Sequence, residues 1–294
     1  MHRIPRLAAA ALAFSALAAG AQGFPEKPIT FVVPFAAGTA TDQIARALGN
    51  VITAETKQSV VIDNKAGASG FIASQFVAKA PADGYTVLIT TNTTHAANEH
   101  LYKKLPYDPV KDFAPITGLG KGGQIMVVAP TFPAKTVAEF IALAKKEPGK
   151  YSFGSGSSSS RMAGELLQQM AGIQLLHVPY KSNTLAVTDL MGGQIHMMIT
   201  DTATGLPQVK AGKLRALGMS SAKRSPLAPE VPTIAEAGVK GYEMGYWFAA
   251  YAPAKTPPAV VEKLNELLVK AAKSESAKAA FYEPTGTEVF TTTP

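Results

Sequence analysis

Ser157, His177 and Asp201 occur in an order that could serve nucleophilic catalysis: a hydroxyl, a base and an acid to orient it. The local pattern argues against that use. Around the serine the chain reads Gly156-Ser157-Ser158-Ser159-Ser160, not the strict G-x-S-x-G turn that exposes a nucleophile. His177 sits in Leu175-Leu176-His177-Val178-Pro179-Tyr180, a setting suited to a partly buried structural histidine. The same serines have a second use. The segment Gly154 to Ser160 lies between a strand-like run and a helix-like run, so its backbone N–H groups and hydroxyls could cradle an anion. A flexible linker is the bland alternative.

The arrangement is also present near the start of the chain, in Pro28 to Ala47. An apolar, β-rich run (Ile29 to Phe35) ends in a loop of small residues (Ala36 to Thr41) and passes into a helix beginning near Asp42. Free N–H groups at a helix start, together with the helix dipole, favour negative charge above the loop. Two polar clusters also follow strand-like runs, Thr90-Thr91-Asn92-Thr93-Thr94-His95 and Thr200-Asp201-Thr202. Both could be helix caps, contact a ligand, or do both. Asp201 suits a pure anion site poorly; it could cap, hold water or face an amino group.

Other signals fail their context. Gly118-Leu119-Gly120-Lys121-Gly122-Gly123 matches G-x-G-x-x-G but precedes a strand and opens no helix, so a hinge or loop is expected there and no dinucleotide. The histidines (2, 95, 100, 177 and 196) form no H-x-x-x-H or H-E-x-x-H pair, and no cysteine exists, so no metal site, disulfide or cofactor is expected. The aromatics Tyr242, Tyr246, Trp247, Phe248 and Tyr251 are expected in the core, with a cleft wall as the alternative.

The elements that would position these residues alternate strand and helix almost throughout, which predicts an α/β fold with largely parallel sheets. Strands are expected at 29–35, 59–63, 85–90, 124–129, 151–154, 174–178, 195–200, 214–220 and 246–251. Helices are expected at 42–56, 71–79, 92–102, 137–147, 161–171, 185–191, 206–211, 234–237 and 259–274. Crossovers near 118–126 and 240–250 predict two domains with a cleft between them: 22–123 plus 240–294 as domain 1, and 124–239 as domain 2.

The first residues carry Arg3 and Arg6, an apolar run from Leu7 to Ala19 and a small-x-small site at Ala19-Gly20-Ala21. This reads as a cleavable export signal, 1–21, too short to anchor in a membrane. The chain of 294 residues carries a formal charge of +7, and cleavage lowers it by two. The remaining surplus is dispersed in pairs such as Lys103-Lys104 and Lys145-Lys146, which argues for solvated helix faces and against a nucleic-acid patch.

Several blocks resemble the periplasmic solute-binding receptors of tripartite tricarboxylate transporters, a bacterial extracytoplasmic uptake-receptor family. They include Val33-Pro34-Phe35-Ala36-Ala37-Gly38, Asp63-Asn64-Lys65-Ala66-Gly67-Ala68-Ser69-Gly70 and Pro81-Ala82-Asp83-Gly84-Tyr85-Thr86. His177-Val178-Pro179-Tyr180-Lys181, Asp189-Leu190-Met191-Gly192-Gly193-Gln194 and Val231-Pro232-Thr233-Ile234-Ala235-Glu236-Ala237-Gly238 continue the series. The resemblance implies a two-domain periplasmic binding protein fold, type II-like, that closes on its ligand. It implies a non-enzymatic, monomeric receptor for a small mono-, di- or tricarboxylate or amino acid, partnered by a two-component membrane permease or a sensor kinase ectodomain. Carried onto this chain, it points to Phe35, Gly38, Thr39 and Thr41 on one lip and Ser155, Ser157 and Ser158 on the other. Thr91, Asn92, Thr200 and Asp201 are further candidates. Thr39 and Ser182 stand where the family pattern has glycine. The chain ends at Pro294, where the pattern continues into a further helix, so a shortened member with a less stable first domain is expected.

Overall fold

The computed structural model describes residues 23–294; the expected export signal at 1–21 lies outside the described residues. Nine strands are described: β1 (Ile29–Val33), β2 (Val60–Asn64), β3 (Thr86–Thr91), β4 (Phe113–Val128), β5 (Ser152–Ser155), β6 (Leu176–Pro179), β7 (Met197–Asp201), β8 (Arg215–Met219) and β9 (Gly245–Pro253). Seven helices carry most of the packing: α1 (Ala40–Thr56), α2 (Phe71–Ala78), α3 (Val137–Lys146), α4 (Ser158–Ala171), α5 (Asn183–Met191), α6 (Thr202–Lys210) and α7 (Pro258–Lys273).

The strand order is β2-β1-β3-β9-β4-β7-β5-β6, with β8 also on β4. β1, β2 and β3 run parallel, as do β5, β6 and β7; β9 and β4 run antiparallel to their neighbours. β4 is shared between two half-sheets. Its residues from Phe113 to Gly123 pair with β9, and from Gln124 onward it pairs with β7 and then β8. The sheet thus bends into two lobes at the Gly123–Gln124 step.

Each lobe is covered by helices on both faces, which explains why its strands read as continuous apolar runs. Side chains alternate across a strand. Phe31 and Val33 join Ile44 and Leu48 of α1 and Leu264 and Leu268 of α7, while Val32 on the opposite face packs with Ala73, Val77 and Tyr107. In the second lobe Met126 and Val128 pack with Phe140 and Phe153, and Ile125 and Val127 pack with Leu190 and Leu206.

Two expectations need correction. Gly118–Gly123 is neither hinge loop nor turn but the middle of β4. The glycines make room there: a side chain on Gly118 would meet Phe290, whose segment crosses over the strand. Residues 234–237 form turns, because Ile234 N–H is held by Met219 O next to the Met219–Thr233 bridge. The helix expected at 92–102 is present, as a wide helical turn, Thr93–Ala97, running into the short Asn98–Leu101 helix. Helical turns at Glu275–Thr285, which periodicity did not signal, bury Phe281 and Tyr282 against the first lobe.

Candidate functional site

The carboxyl ends of the strands meet at a cavity between the lobes, of about 40 Å³, lined by the α1 start, β4, β7, β9 and the loops into α4 and α5. Of the residues expected to bind, Phe35, Thr39, Thr41, Thr91, Ser157 and Asp201 line it. The other five lie behind its wall or elsewhere. The Gly38 N–H is held by Asp42, the Ser155 hydroxyl pairs with His177 Nε2 at 2.7 Å, and the Ser158 hydroxyl donates to Asn98 Oδ1 at 2.7 Å. The buried Thr200 hydroxyl donates to Asp201, and Asn92 lines a separate groove beside Gly122 and Trp247.

Four helices begin at or beside this cavity, and three are capped by their own side chains. Ser157 accepts from Ser160 N–H for α4, Ser182 from Leu185 N–H for α5, and Asp201 from Thr204 N–H for α6. The start of α1 has no side-chain cap. Its cap residue, Thr39, instead donates its hydroxyl to Ala36 O at 2.7 Å. Thr39, Ala40 and Thr41 all line the cavity. An uncapped helix start directed at a cavity suits an anion.

This loop is braced from behind. Asp42 Oδ2 accepts from Gly38 N–H at 2.9 Å and Arg46 Nε at 3.0 Å, and Asn64 Nδ2 donates to Asp42 Oδ1 and Phe35 O, each at 3.0 Å. Burial pushes the Asp42 carboxyl up, but these bonds, led by Arg46, outweigh it and hold it below the usual range. Gly38 takes the positive φ of 80° that the turn requires, while Thr39 is extended at φ −73°. The threonine at this position therefore carries no backbone strain.

On the second lobe Gly156 N–H donates to Asn183 Oδ1 at 2.9 Å, and Asn183 Nδ2 donates to Asp201 Oδ2 at 3.0 Å. Only glycine fits at 156, because a Cβ there would lie 1.8 Å from the Ser182 carbonyl carbon. The four serines divide their work. Ser157 caps, Ser158 crosses to Asn98 on the other lobe, Ser159 lines the cavity, and Ser160 donates to Ile199 O.

The triad Ser157-His177-Asp201 is not assembled. Its histidine pairs with Ser155, and both its serine and its aspartate are occupied as helix caps. Burial, reinforced by Arg161, lowers the His177 pKa. Among the described residues, no group of three or more His, Asp or Glu side chains is placed to hold a metal ion.

Sequence reasoning missed Gln124 and Asn183 in the wall, took Ser159 only as part of the Gly154–Ser160 cradle, and held the cleft wall as the second choice for Tyr246 and Phe248. For the two aromatics a signal existed: they are two apart on one strand and so share a face.

A family model, described as the tripartite tricarboxylate transporter family receptor, matches residues 44–293. This chain belongs to that receptor family. It is 40% identical over 271 residues to a protein of the tcbD–tcbE intergenic region of Pseudomonas sp. strain P51, covering 90% of this chain and 80% of the relative. Among solved structures, Rpa4515 of R. palustris with adipate superposes at a TM-score of 0.88 with 36% identity, covering 91% of this chain and 90% of that one. MatC of Rhodopseudomonas palustris with bound malate superposes at 0.86 with 30% identity, covering 90% and 91%. The receptor fold is thus the expected two-domain periplasmic binding architecture. Among its described residues, no helix is long and apolar enough to cross a membrane.

Proposed function

We propose that this receptor captures a small carboxylate in the periplasm and presents it to the two-component permease of a tripartite tricarboxylate transporter. The observation that carries the reading is the uncapped start of α1, opening on an interlobe cavity while the neighbouring helix starts are capped. The N–H groups of its first turn are free to take a carboxylate, with the helix dipole adding attraction. Thr91 on the same lobe and Ser157 and Ser159 on the other supply hydroxyls around it. The adipate and malate held by Rpa4515 and MatC support the ligand class.

The lobes are assigned to residues 22–123 plus 240–294 and to residues 124–239, and the chain reaches the periplasm by cleavage near Ala21. Ligand bound between the lobes favours the closed form, which is the form a permease would read. Hydroxyl contacts already cross the cleft, at Asn98–Ser158 and Thr93–Ser159.

The test is a thermal-shift screen of the purified chain against citrate, tricarballylate, C4 to C6 dicarboxylates, aspartate, glutamate and aromatic acids. A ligand that binds only the folded state raises the melting temperature by mass action. A concentration-dependent rise with at least one acid is expected. A flat response to all of them from a cooperatively melting sample would overturn the reading.

A further inference from the structure

Gln124 and Asp201 are direct cross-strand partners on antiparallel β4 and β7, so their side chains share one face, and both line the interlobe cavity. Gln124 is 1% exposed, and among the described residues its Oε1 is buried without a hydrogen-bond partner. An orphaned buried carbonyl is costly and rare, so it points to a group that arrives from outside. Asp201 is already oriented. Its Oδ1 accepts the Thr204 N–H at 2.8 Å, and its Oδ2 accepts Asn183 Nδ2 at 3.0 Å and the Thr200 hydroxyl at 3.4 Å. The orientation of Asn183 is fixed in turn, because its Oδ1 holds the Gly156 N–H. Each carboxylate oxygen can accept more than one bond, and Oδ1 accepts only one, so Asp201 retains acceptor capacity.

The cavity is therefore chemically polarised. The first lobe offers the donors of the α1 start, and the second lobe offers the Asp201 carboxylate beside the Gln124 amide, whose oxygen awaits a donor. Among the described residues, no lysine or arginine lines the wall to neutralise a second carboxylate beside Asp201. We infer that Gln124 and Asp201 together read a hydrogen-bond donor on the ligand, which makes the preferred ligand a short carboxylate bearing a hydroxyl or an ammonium group.

This rests on the receptor reading and narrows its ligand class. Gln124 is the specificity-determining member, because Asp201 also caps α6 and cannot be changed without disturbing that helix.

Isothermal titration of the purified chain with matched acids tests it: malate and aspartate against succinate, and lactate against propionate. The hydroxy or amino member is expected to bind about tenfold tighter than its unsubstituted match, the ratio for one good buried hydrogen bond. Gln124→Leu is expected to narrow that gap to about twofold or less while still binding succinate. A preference for malate over aspartate assigns a hydroxyl ligand, and the reverse an ammonium ligand. Equal affinity within every pair in the unaltered chain overturns the inference and leaves the carboxylate receptor standing; this comparison needs no variant to fold. A gap that survives Gln124→Leu also overturns it. Binding of no acid at all overturns both readings together.

Discussion

Ser220 and Gln124 are bonded twice where the chain crosses between lobes. The Ser220 N–H donates to Gln124 O at 2.8 Å, and the Ser220 hydroxyl accepts the Gln124 N–H at 2.6 Å. The same hydroxyl donates to Met244 O, on the other crossing segment just before β9. One buried side chain thus fastens both connections at the hinge. Ser220→Ala leaves the buried Gln124 N–H and the half-buried Met244 carbonyl without that partner, and an orphaned buried group costs about 1–3 kcal/mol. Urea unfolding is expected to show a loss of at least about 2 kcal/mol. A loss below about 0.5 kcal/mol would mean that the fastening is redundant.

Ala40 is the first residue of the uncapped helix, and Thr39 before it is already extended at ψ 160°, as a residue preceding proline must be. Proline is well tolerated at a first helical position. Ala40→Pro therefore deletes one N–H at the cavity while keeping the helix. Carboxylate affinity is expected to fall about tenfold with unfolding stability nearly unchanged, the signature of a lost backbone donor. Unchanged affinity would move the carboxylate away from α1.

The Ser158–Asn98 bond is buried and joins the lobes. Asn98 spends its Nδ2 on Ser69 O and the Tyr107 hydroxyl, so its orientation survives removal of the serine hydroxyl. Ser158→Ala should favour the open form. The expected result is a several-fold rise in Kd, with a larger radius of gyration of the free chain by small-angle scattering. An unaltered Kd would place the bond outside the closing equilibrium.

His95 stacks on Tyr251 with ring centroids 3.9 Å apart, and among the described residues its Nε2 is buried without a partner. Burial pushes its pKa down from 6.5 to about 3. The unfolded chain takes up this proton near pH 6.5, but the fold refuses it until near pH 3. Stability contributed by neutral His95 is therefore complete above about pH 6.5 and is lost as the pH falls through that window, by up to about 1.4 kcal/mol per pH unit. His177 and His196 are shifted the same way by burial and add to the slope. His95→Gln should flatten the fall in stability between pH 6.5 and 4, followed by urea titration at each pH. An identical profile would assign the acid sensitivity to the other groups.

The sequence carried the strand–loop–helix units because apolar runs such as Ile29–Val33 are bounded by glycine, proline and capping residues close in the chain. Helix α1 was expected from Asp42 and begins at Ala40, a shift of one half-turn at a frayed boundary. The anion-ready character of its loop was legible for the same local reason. The acceptor side of the cavity was not. Gln124 reads as the polar lead-in to an apolar run, and only pairing with β7 brings it beside Asp201. The serine run was ambiguous because the partners that distinguish its hydroxyls, Asn98 and Ile199, are distant in sequence. Glycines 118 to 123 looked like a loop because the tail that fills the space above Gly118 lies at the other end of the chain.

The placement of β9 also dictates an order of assembly. Leu88 pairs with Tyr251 and Phe113 with Pro253, whereas strands β5 to β8 come from one uninterrupted stretch of chain. As the chain emerges amino terminus first, the second lobe can complete its own pairing while β3 still waits for its neighbour. Until β9 emerges, the buried residues Leu88 and Ile89 sit on an open strand edge. Long-range pairing of this kind slows folding and leaves such edges prone to aggregation. The rate at which β9 docks on β3 then sets the interval during which the nascent receptor needs protection.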